Sequence, residues 1–126
     1  MLDLLWVSLG GAAGATARYV LGTWIIDHTG ASFPWNTMIV NISGSLAIGI
    51  LLTLLTERLI ADPAWRLLLV VGFLGGYTTF SSYTFETLAL LEAGAWLSAT
   101  LYVLGNNGLG LAAAYLGIVL ARTIWH

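Results

Sequence analysis

The chain has 126 residues, of which 59% are hydrophobic and 8% charged, with a mean hydropathy of +0.91 and no cysteine. A typical soluble domain carries about 25% charged residues, so this composition predicts an integral membrane protein. The missing cysteine excludes disulfides and thiolate metal sites, and a net charge of −2 gives no reason to expect nucleic acid as a partner. The length fits one domain, residues 1–126, with about four spans of roughly 20 residues each.

The first span is predicted from about Leu4 to Ile26. Small residues one turn apart, such as Gly10 and Gly14, permit the close approach of a neighbouring helix. Arg18 follows on the same stripe and has two interpretations. Its side chain either reaches up to the membrane surface or places a positive charge in a water-filled vestibule.

The second span is predicted from about Thr37 to Thr56, and Asn41 is its one strongly polar residue. Asparagine often joins helices inside membranes. Its amide also donates two N–H groups without carrying a charge. Asn41 is therefore either a packing residue or a donor that holds an anion briefly.

The third span, from about Ala64 to Leu91, is interrupted by glycines, hydroxyl residues and aromatics. This segment predicts a half-helix, an unwound stretch at Gly75–Thr79 and a second half-helix from about Phe80. A bilayer tolerates broken backbone only where it is buried in protein or lines a wet cavity. The free carbonyl and N–H groups of the two half-helices are ready sites for a cation and an anion.

Aromatic residues follow the break at helical spacing. Phe80 and Tyr83 lie three residues apart, so they share one face of the second half-helix. Their rings either pack in a core or turn their positive edges toward an anion. Glu86 comes one turn later, and an acid at membrane depth is functional unless it reaches the interface.

The fourth span, from about Trp96 to Trp125, has a small or polar stripe that includes Tyr102 and Asn106. Asn106 and Asn107 are adjacent, and both need partners from another helix or from water. The chain has four arginines and no lysine, so the positive-inside bias is weak. Such a chain permits insertion in both orientations and hence an antiparallel dimer.

Three stretches carry a resemblance to a known family. They are GGAAGATARY at residues 10–19, PWNT at residues 34–37 followed by Asn41, and GFLGGYTTFSS at residues 72–82 followed by Glu86. Together they resemble the small fluoride channels called Fluc or CrcB, over the whole length of the chain. The third stretch is the most specific, because generic membrane composition does not produce it.

The resemblance implies an all-α integral membrane fold with four transmembrane helices, the third broken near Gly75–Thr79. It implies an antiparallel, dual-topology homodimer with two separate fluoride pores in the lipid bilayer. The implied function is passive fluoride export across the bacterial plasma (inner) membrane, which lowers cytoplasmic fluoride.

The resemblance also implies roles for particular residues. The anion pathway would be lined by Asn41, Phe80, Tyr83, Tyr102, Asn106, Ser81 and Arg18. A structural sodium ion on the dimer axis would be held by the backbone carbonyls of Gly75 and Thr78 from each subunit. The sequence departs from the family at Tyr83, where a phenylalanine is usual, and at Gly110 and Ala114, where a serine or threonine track is usual.

Two other functions stay open. In a non-transporting assembly subunit, the glycine stripes would serve packing alone and the break would be a kink. A small multidrug transporter needs a carboxylate embedded in the first span, where this chain has only Asp3 at the extreme end. An enzyme is not expected, because His28 and His126 are far apart and no nucleophile–base pair is visible.

Overall fold

The computed structural model describes residues 1–59 and 61–125, and every regular element in these ranges is helical. Five helices follow one another there: α1 (Leu2–Thr29), α2 (Trp35–Arg58), α3 (residues 63–77), α4 (Phe80–Glu92) and α5 (Trp96–Ile124). Together α3 and α4 form the predicted third span. The all-helical class is confirmed, and the predicted span ends lie close to the observed helix ends.

Local residues account for several helix ends. Gly30, with a φ of 80°, follows α1, and Gly94, with a φ of 76°, separates α4 from α5. Glycine adopts this left-handed conformation without a steric penalty. At the start of α3, the Asp62 carboxylate accepts a hydrogen bond of 2.8 Å from the Ala64 N–H, and Pro63 occupies the first turn. These are ordinary signals of a helix N-terminus.

Three helical segments of the described residues have the length and composition of membrane spans. Trp35–Arg58, Pro63–Glu92 and Trp96–Ile124 are long and apolar enough to cross a bilayer, with mean hydropathies of 2.1, 1.2 and 1.5. The 28-residue α1 is not among these three. It remains the predicted first span. Large apolar side chains such as Leu97 and Leu111 point outward from the helices, as a lipid environment permits.

Small residues bring α1 close to α3. A Cβ atom added to Gly14 would overlap the Phe73 carbonyl, and one added to Gly10 would overlap the Leu68 carbonyl. From the other side, a Cβ atom on Gly72 would lie 2.8 Å from the Val7 carbonyl oxygen. The close helix approach predicted from the glycine spacing in the first span is therefore confirmed.

Glycines also allow close packing between α2 and α5. A Cβ atom on Gly49 would overlap the Ala114 carbonyl, and one on Gly117 would overlap the Leu46 carbonyl. At one end of this pair, the Arg122 guanidinium meets the Glu57 carboxylate through two hydrogen bonds of 2.7 and 3.0 Å. Because glycines remove the intervening side chains, α2 and α5 approach each other backbone to backbone.

The break in the third span is narrower than predicted. Only Thr78 and Thr79 are extended, with φ and ψ of −82° and 156° at Thr78 and −146° and 121° at Thr79. Gly75–Tyr77 is still helical, so the predicted unwinding was wrong for these three residues. A Cβ atom on Gly76 would lie 2.7 Å from the Gly11 carbonyl oxygen. This glycine therefore serves the contact with α1 and does not unwind the helix.

Candidate functional site

A side chain from α2 holds the break in place. The Asn41 Oδ1 accepts a hydrogen bond of 2.9 Å from the Thr79 N–H, and its Nδ2 donates one of 3.0 Å to the Thr79 carbonyl oxygen. Nδ2 also donates to the Asn106 Oδ1 in α5 at 3.0 Å. Asn41 thus satisfies both backbone groups of a residue outside the helices. Both of its N–H groups have protein partners, so its predicted role as an anion donor requires the exchange of one of these bonds.

The start of α4 points N–H groups toward the site. The Thr79 hydroxyl accepts a hydrogen bond of 3.2 Å from the Ser82 N–H and donates one of 3.1 Å to the Ser82 hydroxyl. Thr79 is therefore the N-cap of this 13-residue helix. The N-terminus of α4 carries the positive end of the helix dipole, which favours an anion. Ser81 lies in this first turn, with its hydroxyl 3.5 Å from that of Thr79.

The end of α3 presents carbonyl groups. The Thr78 N–H and hydroxyl both donate to the Leu74 carbonyl oxygen at 3.0 Å, and the Arg18 Nε donates to that of Gly76 at 3.2 Å. In the described part of the chain, no hydrogen bond reaches the carbonyl oxygens of Gly75 and Thr78. Carbonyls at the end of a half-helix are typical sodium ligands in broken membrane helices. The two predicted ligands therefore fit a sodium ion chemically.

A cavity of about 450 Å³ lies beside the break and receives residues from α2, α3, α4 and α5. Four of the seven predicted pathway residues line it, namely Asn41, Phe80, Tyr83 and Asn106. The ring centroids of Phe80 and Tyr83 are 5.7 Å apart, and the two planes are inclined by 60°. Phe80 is 75% exposed. The prediction that the two rings share one face of α4 is confirmed, and they do not form a buried core pair.

A second cavity, of about 440 Å³, borders the break as well, since Thr79 lines both cavities. Arg18 and Glu86 line this second space. The Glu86 Oε1 accepts a hydrogen bond of 2.9 Å from the Thr37 hydroxyl, and Oε2 accepts one of 2.8 Å from the Tyr102 hydroxyl. Both carboxylate oxygens of Glu86 are thus held by neutral donors of other helices.

Three predicted pathway residues lie outside the first cavity. Arg18 is tied to the end of α3 and lines the second cavity, which agrees with the inward-facing interpretation of this arginine. Tyr102 is completely buried, and its hydroxyl is used by Glu86. Ser81 lines neither of these two cavities. The structure therefore places four of the predicted pathway residues in the first cavity and Arg18 in the second, while Ser81 and Tyr102 line neither of them.

Sequence reasoning missed two residues of this site. Thr37 was not predicted to hold the Glu86 carboxylate, and Asn107 was not predicted to contact Tyr83. The only signal for Asn107 was the pair of adjacent asparagines in the middle of a span. Of the two histidines, His28 lies at the exposed end of α1, with its Nδ1 2.7 Å from the Trp24 carbonyl oxygen. His126 lies outside the described residues.

Comparison with known proteins identifies the family. Residues 5–118 match the family model described as CrcB-like protein, Camphor Resistance (CrcB). The chain is 55% identical to the fluoride-specific ion channel FluC of Solibacter usitatus over 96% of its length and 99% of that protein. It is 48% identical to the FluC protein of a Roseiflexus species over 98% of its length and 99% of that protein. It is also 48% identical to the FluC protein of Koribacter versatilis, over 97% of each chain. The chain therefore belongs to the CrcB-like family.

Proposed function

We propose that this protein is a fluoride-selective ion channel through which fluoride leaves the cell passively, so that cytoplasmic fluoride falls. The observation that carries this proposal is the near-complete alignment with curated relatives named fluoride-specific ion channel FluC, at 55% and 48% identity. The protein is a multi-pass protein of the plasma (inner) membrane and not an enzyme. The cavity beside the break provides the residues that would contact the ion.

The first cavity offers an anion neutral donors and no fixed cation of its own. Its lining includes the N-terminus of α4, the aromatic residues Phe80 and Tyr83, and Asn106, whose amide nitrogen has one hydrogen bond among the described residues, to the Tyr102 carbonyl oxygen. Fluoride is small and strongly hydrated, so a pore must replace its water with donors that release the ion again. Neutral amide, hydroxyl and ring-edge donors satisfy this requirement, whereas a lysine beside the ion would trap it.

The channel is an antiparallel, dual-topology homodimer in which α1 is the first of four spans in each subunit. Three features support this arrangement. The single chain is too small to enclose a substantial pore, its helices expose large apolar side chains, and its four arginines and no lysine set orientation weakly. Two subunits inserted in opposite directions cover part of this apolar surface and yield two separate pores.

A structural sodium ion on the dimer axis binds the carbonyl oxygens of Gly75 and Thr78 from each subunit. Both oxygens lack a hydrogen-bond partner among the described residues, which supports this assignment. A cation here offsets the negative ends of the two α3 helices and raises the potential felt by an anion nearby. Removal of sodium is expected to abolish fluoride flux while the dimer stays folded. Undiminished flux in sodium-free solution contradicts this role.

Fluoride efflux from liposomes that contain the purified protein tests the function, with chloride efflux as the selectivity control. The wild type should release fluoride rapidly and chloride hardly at all. Phe80→Ile should abolish this flux, because it removes a ring from the cavity. The matched variant Phe85→Ile changes an exposed phenylalanine of the same helix that lies outside both cavities, and it should conduct normally. A folded wild type without fluoride flux would instead support the assembly subunit, and efflux of cationic drugs would support the multidrug transporter.

A further inference from the structure

We propose that the Tyr83 hydroxyl donates a hydrogen bond to the permeating anion, and that Asn107 positions this hydroxyl by occupying its acceptor side. The inference rests on the proposed channel function and assigns a further donor to the same pathway. It concerns the position where this chain has a tyrosine in place of the phenylalanine that is usual in the family.

The direction of the hydrogen bond between the two side chains follows from a third group. The Asn107 Nδ2 lies 2.8 Å from the Tyr83 hydroxyl oxygen and 2.9 Å from the Val103 carbonyl oxygen. A carbonyl oxygen only accepts, so the amide nitrogen and not Oδ1 must face Val103. The same nitrogen therefore donates to Tyr83, and the tyrosine oxygen acts as the acceptor.

This arrangement leaves the hydroxyl hydrogen of Tyr83 available. Among the described residues, Asn107 is the sole hydrogen-bond partner of this hydroxyl. Tyr83 and Asn107 both line the cavity of about 450 Å³ beside the break. A hydroxyl that accepts a bond from an amide also becomes a better donor, because neighbouring hydrogen bonds polarise one another. The tyrosine thus adds a strong donor to the weak donors of its ring edge.

A π-helical turn explains how two adjacent asparagines both serve this cavity. Residues Gly105–Leu109 form a π-helical segment within α5. In such a turn the backbone bonds span five residues, so neighbouring side chains are rotated less than in an α-helix. Asn106 bonds to Asn41 while Asn107 bonds to Tyr83, and both face the same space. The two amides therefore have separate tasks.

The test compares Tyr83→Phe, Asn107→Leu and the double variant in liposomes, and it measures the fluoride concentration that gives half-maximal flux. Each single variant should raise this concentration about tenfold, as expected when a hydrogen bond to an anion is lost. The double variant should show no larger change than either single one, because both act through one hydroxyl. Thr100→Val is the matched control, since it removes a local side-chain bond to a carbonyl of α5 away from the cavity. It should leave the value within about twofold.

Each outcome has a distinct meaning. If the wild type conducts and Tyr83→Phe does not change the half-saturating fluoride concentration, the donor role is refuted. If the effects of Tyr83→Phe and Asn107→Leu multiply in the double variant, Asn107 does not act through Tyr83. If Asn107→Leu fails to assemble, Tyr83→Phe decides alone, because it removes one oxygen and keeps the ring. A wild type without flux contradicts the channel function itself, and no Tyr83 effect would then be measurable.

Discussion

Replacing Asn41 by leucine removes the contact that joins α2 to the break. The wild-type side chain makes two hydrogen bonds with the Thr79 backbone and one with Asn106, all between 2.9 and 3.0 Å. Leucine fills a similar volume but offers no polar atom. The Thr79 N–H and carbonyl then lose their partners in the protein, and no helix is in place to supply others.

The loss of stability in Asn41→Leu comes mainly from the two unpaired backbone groups of Thr79. A buried polar group without a partner costs about 1–3 kcal/mol. Thr79 borders both cavities, so water reaches it and the lower part of that range applies to each group. Adding the weaker loss at the Asn106 side chain, we expect Asn41→Leu to lower the free energy of unfolding by about 2–4 kcal/mol. Fluoride flux should fall with it, because the start of α4 is no longer fixed.

Unfolding in mixed micelles with increasing SDS measures the first quantity, and liposome efflux measures the second. Ser45→Ala is the control, since Ser45 lies one turn along the same helix, lines the same cavity and bonds only to the Asn41 carbonyl. It should cost less than about 1 kcal/mol. If Asn41→Leu is as stable as this control, Asn41 does not stabilise the break. A loss of flux at full stability would instead support Asn41 as a direct anion donor.

Three further substitutions test the helix packing, the hydrogen bond between Tyr102 and Glu86, and the exposed ion pair. Gly14→Ala should destabilise the protein by about 1–3 kcal/mol because the added methyl group overlaps α3. Gly11→Ala is its control, since the methyl group added there would lie 3.9 Å from the Gly72 carbonyl oxygen. Equal thermal stability of the two variants would contradict the close contact. Tyr102→Phe should cost about 1–3 kcal/mol because Glu86 loses a buried donor, so an unchanged melting temperature would refute that bond. Arg122→Gln breaks an exposed ion pair and should leave melting temperature and flux nearly unchanged. A large drop in melting temperature or in flux would show that this ion pair contributes to stability or conduction.

The features that were predicted from the sequence depend on neighbours along the chain. Span positions follow from apolar runs, and the helix contact of α1 follows from the spacing of Gly10 and Gly14. The break follows from residue types that are poor helix formers, and the shared face of Phe80 and Tyr83 follows from helical geometry. Each of these predictions needs only a few consecutive turns. The helix contact, the presence of a break and the shared face agree with the structure, as do three of the four spans.

The features that were not predicted depend on pairs that are distant in sequence. Asn41 and Thr79 are separated by 38 positions, and Thr37 and Glu86 by 49. Spacing along one helix gives no information on such pairs. The extent of unwinding was wrong for a related reason. Glycine is a poor helix former, so Gly76 was predicted to unwind the helix. In the structure it stays helical and lets the backbone of α1, which is distant in sequence, come close.

The short break places the negative end of the α3 dipole close to the positive end of the α4 dipole. Only Thr78 and Thr79 leave the helix, so the carbonyl end of α3 and the N–H end of α4 are only two residues apart. Opposite partial charges this close would offset each other for an ion that felt both equally. Two carbonyl groups near the break already have partners, because Arg18 donates to that of Gly76 and Asn41 donates to that of Thr79. The proposed sodium ion would then use the free carbonyls of Gly75 and Thr78, and the proposed anion path would use the N-terminus of α4.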